Sequence, residues 1–249
     1  MTHIKQSLLC GLFAAIFLLG LGLAAKAQLL DNATTSRDVA FTFYKLANKD
    51  PDFEHWASYS QEYATAMEET KDEVLSEEKL NLELSFQSFD PAYHDIVIRS
   101  LVQGEVKTSG DAASLSIQFP EEGEIFFPYD YAETYFAVIA DKIDVLRDIP
   151  LEPLEANYVR NKIPSDGKLF MVLKLVPYKA NGNKQASFYG EKYWMLLGKI
   201  GSITLYNGDL ETVWSWTASW YSKLKTQRAS GTPSNTGEMP SVTITEKKG

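Results

Sequence analysis

Cysteine is almost absent from this chain. Its one cysteine, Cys10, lies in the first apolar stretch of the 249 residues. The rest of the chain can therefore hold no disulfide, thiolate metal site or cysteine nucleophile. Histidine is scarce too, at three residues. A zinc site would need carboxylates to complete it, and no metal site is expected. Positive charge is in deficit, with 24 basic against 33 acidic residues and a net charge of −9. That balance argues against nucleic acid and anionic lipid surfaces as partners, since both require clustered cations. No G-x-S-x-G, H-E-x-x-H, Walker or G-x-G-x-x-G motif occurs, so no cofactor is expected. A non-catalytic role is the first reading.

One long hydrophobic run is present, and it stands at the start. Lys5 supplies a short positive region, Leu8 to Ala25 is apolar and uncharged, and Ala25-Lys26-Ala27 is an A-x-A site. That order is the order of a secretory signal peptide. Cleavage after Ala27 is expected, giving a periplasmic or secreted bacterial protein. The alternative is an uncleaved anchor, for which the run is just long enough. Gly20, Gly22 and the small residues at Ala25 and Ala27 favour cleavage. No later segment is apolar enough to span a bilayer.

The pattern from residue 28 to 90 is helical. Ser36 is a candidate N-cap, and Val39, Phe43, Leu46 and Ala47 share one face. Asp50-Pro51 reads as a cap followed by a first-turn proline. Phe53, Trp56, Tyr59, Tyr63 and Met67 would line the inner side of the helix that follows. Thr70 to Glu73 matches a capping box. The segment LNLELSFQSF alternates like a strand, yet Leu75, Leu82, Phe86 and Phe89 also form a helical stripe. The flanking Glu and Lys residues favour helix, ending before Asp90-Pro91.

From residue 91 to 225 the composition turns β-branched and aromatic, with one helix near 152–163 that has Pro153 in its first turn. Asn181-Gly182 and Asn207-Gly208 are hairpin signals. Gly198 and Gly201 suggest bulges in a long strand. A faint echo at a spacing of 73 positions aligns Pro91 with Pro164 and Ala113-Ser114 with Ala186-Ser187. Residues 226–249 read as a disordered tail. The whole predicts an α+β protein, in which N-terminal helices precede a mainly antiparallel β portion with one inserted helix. The order of leader, Glu-rich helices, strand cluster, LEPLEANYVRN helix and LFMVLKLVPY strands resembles a family of exported bacterial proteins of unknown function. The resemblance implies no catalytic residues.

Two aromatic clusters are the candidate ligand-binding residues. TVWSWTASWYSKL, from Thr212, carries three of the five tryptophans. Read as a strand, it points Trp214, Trp216 and Trp220 one way and Val213, Ser215 and Tyr221 the other. Read as a helix, it aligns Val213, Trp216, Trp220 and Leu224, but its Thr, Ser and Val content favours the strand. Indoles so placed serve either a core or a stacking platform. The second cluster, Phe126 to Phe136, offers Tyr129 and Tyr131 beside Asp130 and Glu133, with Glu121, Glu122 and Glu124 just before. Asp90, His94 and Asp95 form the remaining polar group that a base could be drawn from. The expected function is an exported binding or envelope-associated protein, with an envelope polymer or another envelope protein as partner. A carboxylate-based hydrolase of such a polymer, or a purely structural domain, is the alternative.

Overall fold

The computed structural model describes residues 33–119 and 126–230. The expected leader and its cleavage site, the acids at 121, 122 and 124, and the tail from 231 lie outside the described residues.

Helix α1 spans Ser36–Ala47, α2 Phe53–Ser58, α3 Gln61–Thr65 and α4 Lys71–Ser88. Strands β1 Ile96–Ser109, β2 Ala112–Gln118, β3 Phe127–Tyr131, β4 Thr134–Asp141 and β5 Ile149–Leu151 follow. Helix α5, Pro153–Lys162, precedes β6 Lys168–Ala180, β7 Ala186–Phe188, β8 Glu191–Tyr206 and β9 Thr212–Thr217. Helix α6, Ser219–Ala229, closes the described chain. The strands form one sheet in the order β3-β4-β8-β6-β1-β2-β5, with β7 and β9 also paired to β8. Every pairing is antiparallel except β4 with β8. The α+β architecture is therefore as the sequence predicts.

Helix α1 is buried on two sides, which is why its apolar residues exceed a single stripe. Phe43 packs on Phe136 of β4 at 5.3 Å and on Trp194 of β8 at 5.5 Å. Two positions earlier, Phe41 meets Trp56, Phe86 and Phe89 of the outer helical layer. The residues of LNLELSFQSF are helical. Leu82 and Phe86 are buried, whereas Leu80 and Leu84 stay exposed. A spacing of four puts Leu82 and Phe86 on one helical face and turns Leu80 and Leu84 away from it. Helices and sheet share one continuous apolar core.

Several local expectations shift. Thr35, not Ser36, caps α1 by accepting from the Asp38 amide at 3.2 Å. Asp52, not Asp50, caps α2 by accepting from His55 N at 3.0 Å. The helix that was to run on from Phe53 breaks at Tyr59, and Ser60 starts α3 by accepting from Tyr63 N. Tyr59 and Met67 consequently end up exposed. No capping box forms at Thr70. Its hydroxyl donates to the Met67 carbonyl, and α4 is entered from a 3-10 turn, Glu68–Thr70. Thr226 to Ala229, predicted as the start of a tail, are instead the last turn of α6. The 73-residue echo does not give equivalent units: β1 pairs with β2, but β6 pairs with β1 and β8 and leaves β7 to β8.

The turns show where backbone chemistry competes. Asn207 does open a hairpin, β8 to β9, but its side chain accepts from the amides of Asp209 and Glu211, and Leu210 takes the positive φ of 63°. Asn181 similarly accepts from Asn183 N and leads to a longer connection. The two-residue turns with both φ positive are Tyr189-Gly190 and Ala132-Glu133. Ala132 occupies a left-handed position that disfavours a β-carbon. Ala132→Asn should raise the unfolding free energy by roughly 0.5–1 kcal/mol, since asparagine tolerates that region. A urea titration that leaves the midpoint unmoved or lowered would refute the strain.

Candidate functional site

Strand β8 changes neighbours along one edge. Its first part, Trp194 to Lys199, pairs with β4, and its last part, Ser202 to Tyr206, pairs with β9. One partner runs parallel and the other antiparallel, so their ladders cannot merge. The seam falls at Ile200 and Gly201, where a β-bulge displaces the register against β6. This is the bulge expected at Gly201. The second irregularity lies on the facing strand between Pro177 and Lys179, opposite Gly198. Sites where strand neighbours change are favoured places for pockets.

A hollow of about 480 Å³ opens at this seam. Trp214 and Trp216 reach it from β9, and Trp220 from the first turn of α6. Val145, Leu146, Ile149, Pro150 and Ile200 complete its apolar wall. Asp141, Lys142 and Lys199 are its polar members. The chain reaches the wall because Lys142, at φ 60°, turns it out of β4 into a 3-10 turn, Ile143–Leu146. Edge strand β5 lines the same hollow as β9, so the sheet curls its margin round towards the seam.

The three indoles do different things. Trp214 is only 8% exposed, and its indole N–H donates to Glu155 Oε1 of α5 at 3.1 Å. It is core on one side and pocket wall on the other. Trp216, the next residue on that face, is 44% exposed. Trp220 is half-buried, and it is not on the strand at all. The strand reading holds through Thr217 and then fails. Ala218 leaves the ladder by donating its N–H to Gly201 O at 2.8 Å, and the helix-forming stretch SKLKTQRA carries on as α6.

Helix α6 is held on the outer sheet face. Tyr221 packs there with Val176 and Ala218, flanked by Trp220 and Leu224. Only glycine fits beneath it, because a β-carbon on Gly201 would lie 2.6 Å from the Tyr221 ring. Arg228 Nη1 pairs with Asp95 Oδ1 at 2.6 Å, and the Tyr221 hydroxyl donates to Asp95 Oδ2. Burial, then the bond to Asp95, raises the Tyr221 phenol above its ordinary value.

Tyr129 and Tyr131 do not join the tryptophans. The Phe126–Phe136 segment is a hairpin, β3 with β4, and both tyrosines pack on the core. Tyr131 lies edge-on to Trp56 at 4.9 Å. Burial pushes the Tyr129 phenol up to about 12. A phenol that is harder to ionise in the folded state stabilises the fold fully below pH 10 and loses that contribution as pH rises through about 12. The unfolding free energy from urea titrations should therefore fall between pH 10 and 12, by roughly 2–3 kcal/mol for a shift of this size. Tyr129→Phe should flatten part of the decline, and an identical decline in the variant would rule Tyr129 out as its source.

The polar group at the start of β1 is structural. Asp90 caps a short turn by accepting from Ala92 N at 2.8 Å, and His94 stacks on Phe89 at 4.3 Å. Asp95 is committed to α6. A separate hollow gathers Arg37, Glu62, Glu78, Asp130 and Glu133 around Tyr59. Among the described residues, no group of three or more His, Cys, Asp or Glu is placed to hold a metal ion, and no helix is long and apolar enough to cross a membrane.

Sequence reasoning missed most of the pocket wall. Asp141 to Pro150 carries no motif, and Lys199 and Ile200 look like any strand residues. Only the tryptophan spacing marked the place. In comparisons with family models, curated proteins and solved structures, nothing matches this chain.

Proposed function

We propose that this is a non-catalytic, exported ligand-binding protein whose site is the tryptophan-lined hollow at the β4/β9 seam. The observation that carries the reading is the convergence of Trp214, Trp216 and Trp220, from a strand and a helix, on one concavity of about 480 Å³. That size suits a small molecule. The wall has few hydrogen-bonding side chains, and a sugar's hydroxyls placed against it would go unpaired, at a cost for each. An apolar ligand therefore suits it better than a glycan strand of an envelope polymer. The signal-like N-terminus supports export, and the ligand would then be met in the bacterial envelope.

The test is a titration with N-phenylnaphthylamine, a neutral apolar fluorophore. The protein should enhance and blue-shift its emission. Trp216→Ala and Trp220→Ala should each weaken binding about tenfold. If the probe does not bind, or binds both variants as it binds the parent, the hollow is not a site and the indoles serve packing alone.

A further inference from the structure

Arg99, midway along β1, is not among the residues that line the hollow. Its Nε and Nη1 are buried, and among the described residues neither has a hydrogen-bond partner. Guanidinium N–H groups taken from water and left unpaired are costly. The side chain stands on the outer sheet face. Ile96, Ile98 and Val102 fill the core, so Asp95, Val97, Arg99 and Leu101 point the other way. Asp95 on that face receives Arg228 and Tyr221 of α6. Leu101 is 62% exposed, and Phe170 opposite it on β6, with Tyr206 beyond on β8, is half-buried. A guanidinium partly sealed from water thus stands beside an apolar patch, on the face where α6 ends.

We propose that this face is the docking surface of the chain's own segment 231–249, with Glu238 as the acid that meets Arg99. The segment leaves α6 at the end latched to Asp95. Asp95 is four residues from Arg99, about 13 Å along β1. The eight residues from Ser230 to Glu238 reach about 26 Å when extended, so the span is available. Charge selects the acid. Glu246 is followed by Lys247 and Lys248, which Arg99 would repel, whereas Glu238 has no cation beside it. Met239, Val242 and Ile244 follow Glu238 and supply apolar cover for Leu101 and Phe170. Composition alone predicts disorder for this segment. Its tether to α6 makes the contact intramolecular, so a modest interaction is enough to hold it.

Glutamyl endopeptidase reads the contact on the native chain, because the Glu238–Met239 bond is open to cleavage when the segment is undocked. Release of fragment 239–249 is followed by mass spectrometry, and a synthetic peptide of residues 231–249 sets the undocked rate. In the protein that bond should be cut about tenfold more slowly than in the peptide. High salt should narrow the difference. Arg99→Met keeps an apolar stem, removes the charge and should bring cleavage close to the peptide's rate. The comparison of parent with peptide does not depend on any variant folding. Cleavage of the parent at the peptide's rate would overturn the inference. If phosphate then stabilised the parent and not Arg99→Met, Arg99 would belong to a solute anion. Protection that grows with protein concentration would also overturn it, and would give the face to a second copy of the chain. Protection that survives in folded Arg99→Met would place the segment elsewhere and overturn it equally.

Discussion

Trp214→Ala should lower the unfolding free energy by about 3–5 kcal/mol, whereas Trp216→Ala should cost about 1 kcal/mol or less. The two residues share a strand face two positions apart, so the contrast tests burial and not residue type. Trp214 is 8% exposed and donates to Glu155. Its removal would leave a cavity between β9 and α5 and take away a hydrogen bond. Trp216 is 44% exposed and has little packing to lose. Ligand binding should show a different order. Trp216→Ala should weaken N-phenylnaphthylamine binding while leaving the urea midpoint close to that of the parent. Equal destabilisation by both substitutions would mean that the hollow is closed in solution and Trp216 is a core residue.

Arg228→Ala should cost about 2–3 kcal/mol and also weaken ligand binding. The Arg228 and Asp95 side chains are 14% and 15% exposed. A fully buried pair costs about 3–5 kcal/mol when one member is removed, because the other charge stays behind unpaired; this partly exposed pair should cost less. Arg228 Nε is already buried without a hydrogen-bond partner, so Asp95→Ala should be at least as harmful as Arg228→Ala. The double substitution should cost clearly less than the two single costs added together. The effect on binding follows from geometry. Helix α6 carries both Arg228, at its latched end, and Trp220, at its pocket end. Releasing the latch should therefore weaken N-phenylnaphthylamine binding without touching the hollow. An unlatched variant that binds the fluorophore normally would show that Trp220 is held by Tyr221 and Gly201 alone.

Much of the architecture is read directly from local pattern. The α+β class, the α4 stripe of Leu82 and Phe86, Pro153 opening α5 and the bulge at Gly201 all depend on residues within a few positions of one another. Periodicity, capping and turn chemistry act at that range. Cap positions slipped by a residue or two because neighbouring Ser, Thr and Asp side chains compete for the same amides, as Thr35 and Asp52 did. The strand assigned to Trp220 failed for a related reason. Its composition changes from strand-forming to helix-forming within thirteen residues, and the point of change is fixed by a distant acceptor, Gly201 O.

By itself, the sequence determined the secondary structure of most segments, the acidic balance and the presence of a concentrated tryptophan group. Only the tertiary structure decided that this group faces a hollow. The seam exists because β4 and β9 take turns on one edge of β8, and no local pattern records which strands share an edge. It was also the tertiary structure that sent Tyr129 and Tyr131 into the core, tied Asp95 to Arg228 across 133 positions, and brought Lys142 and Lys199 to one rim. Contacts between residues far apart in the chain depend on how every intervening element packs, and that packing is settled by the burial of the whole core and not by any short stretch of it.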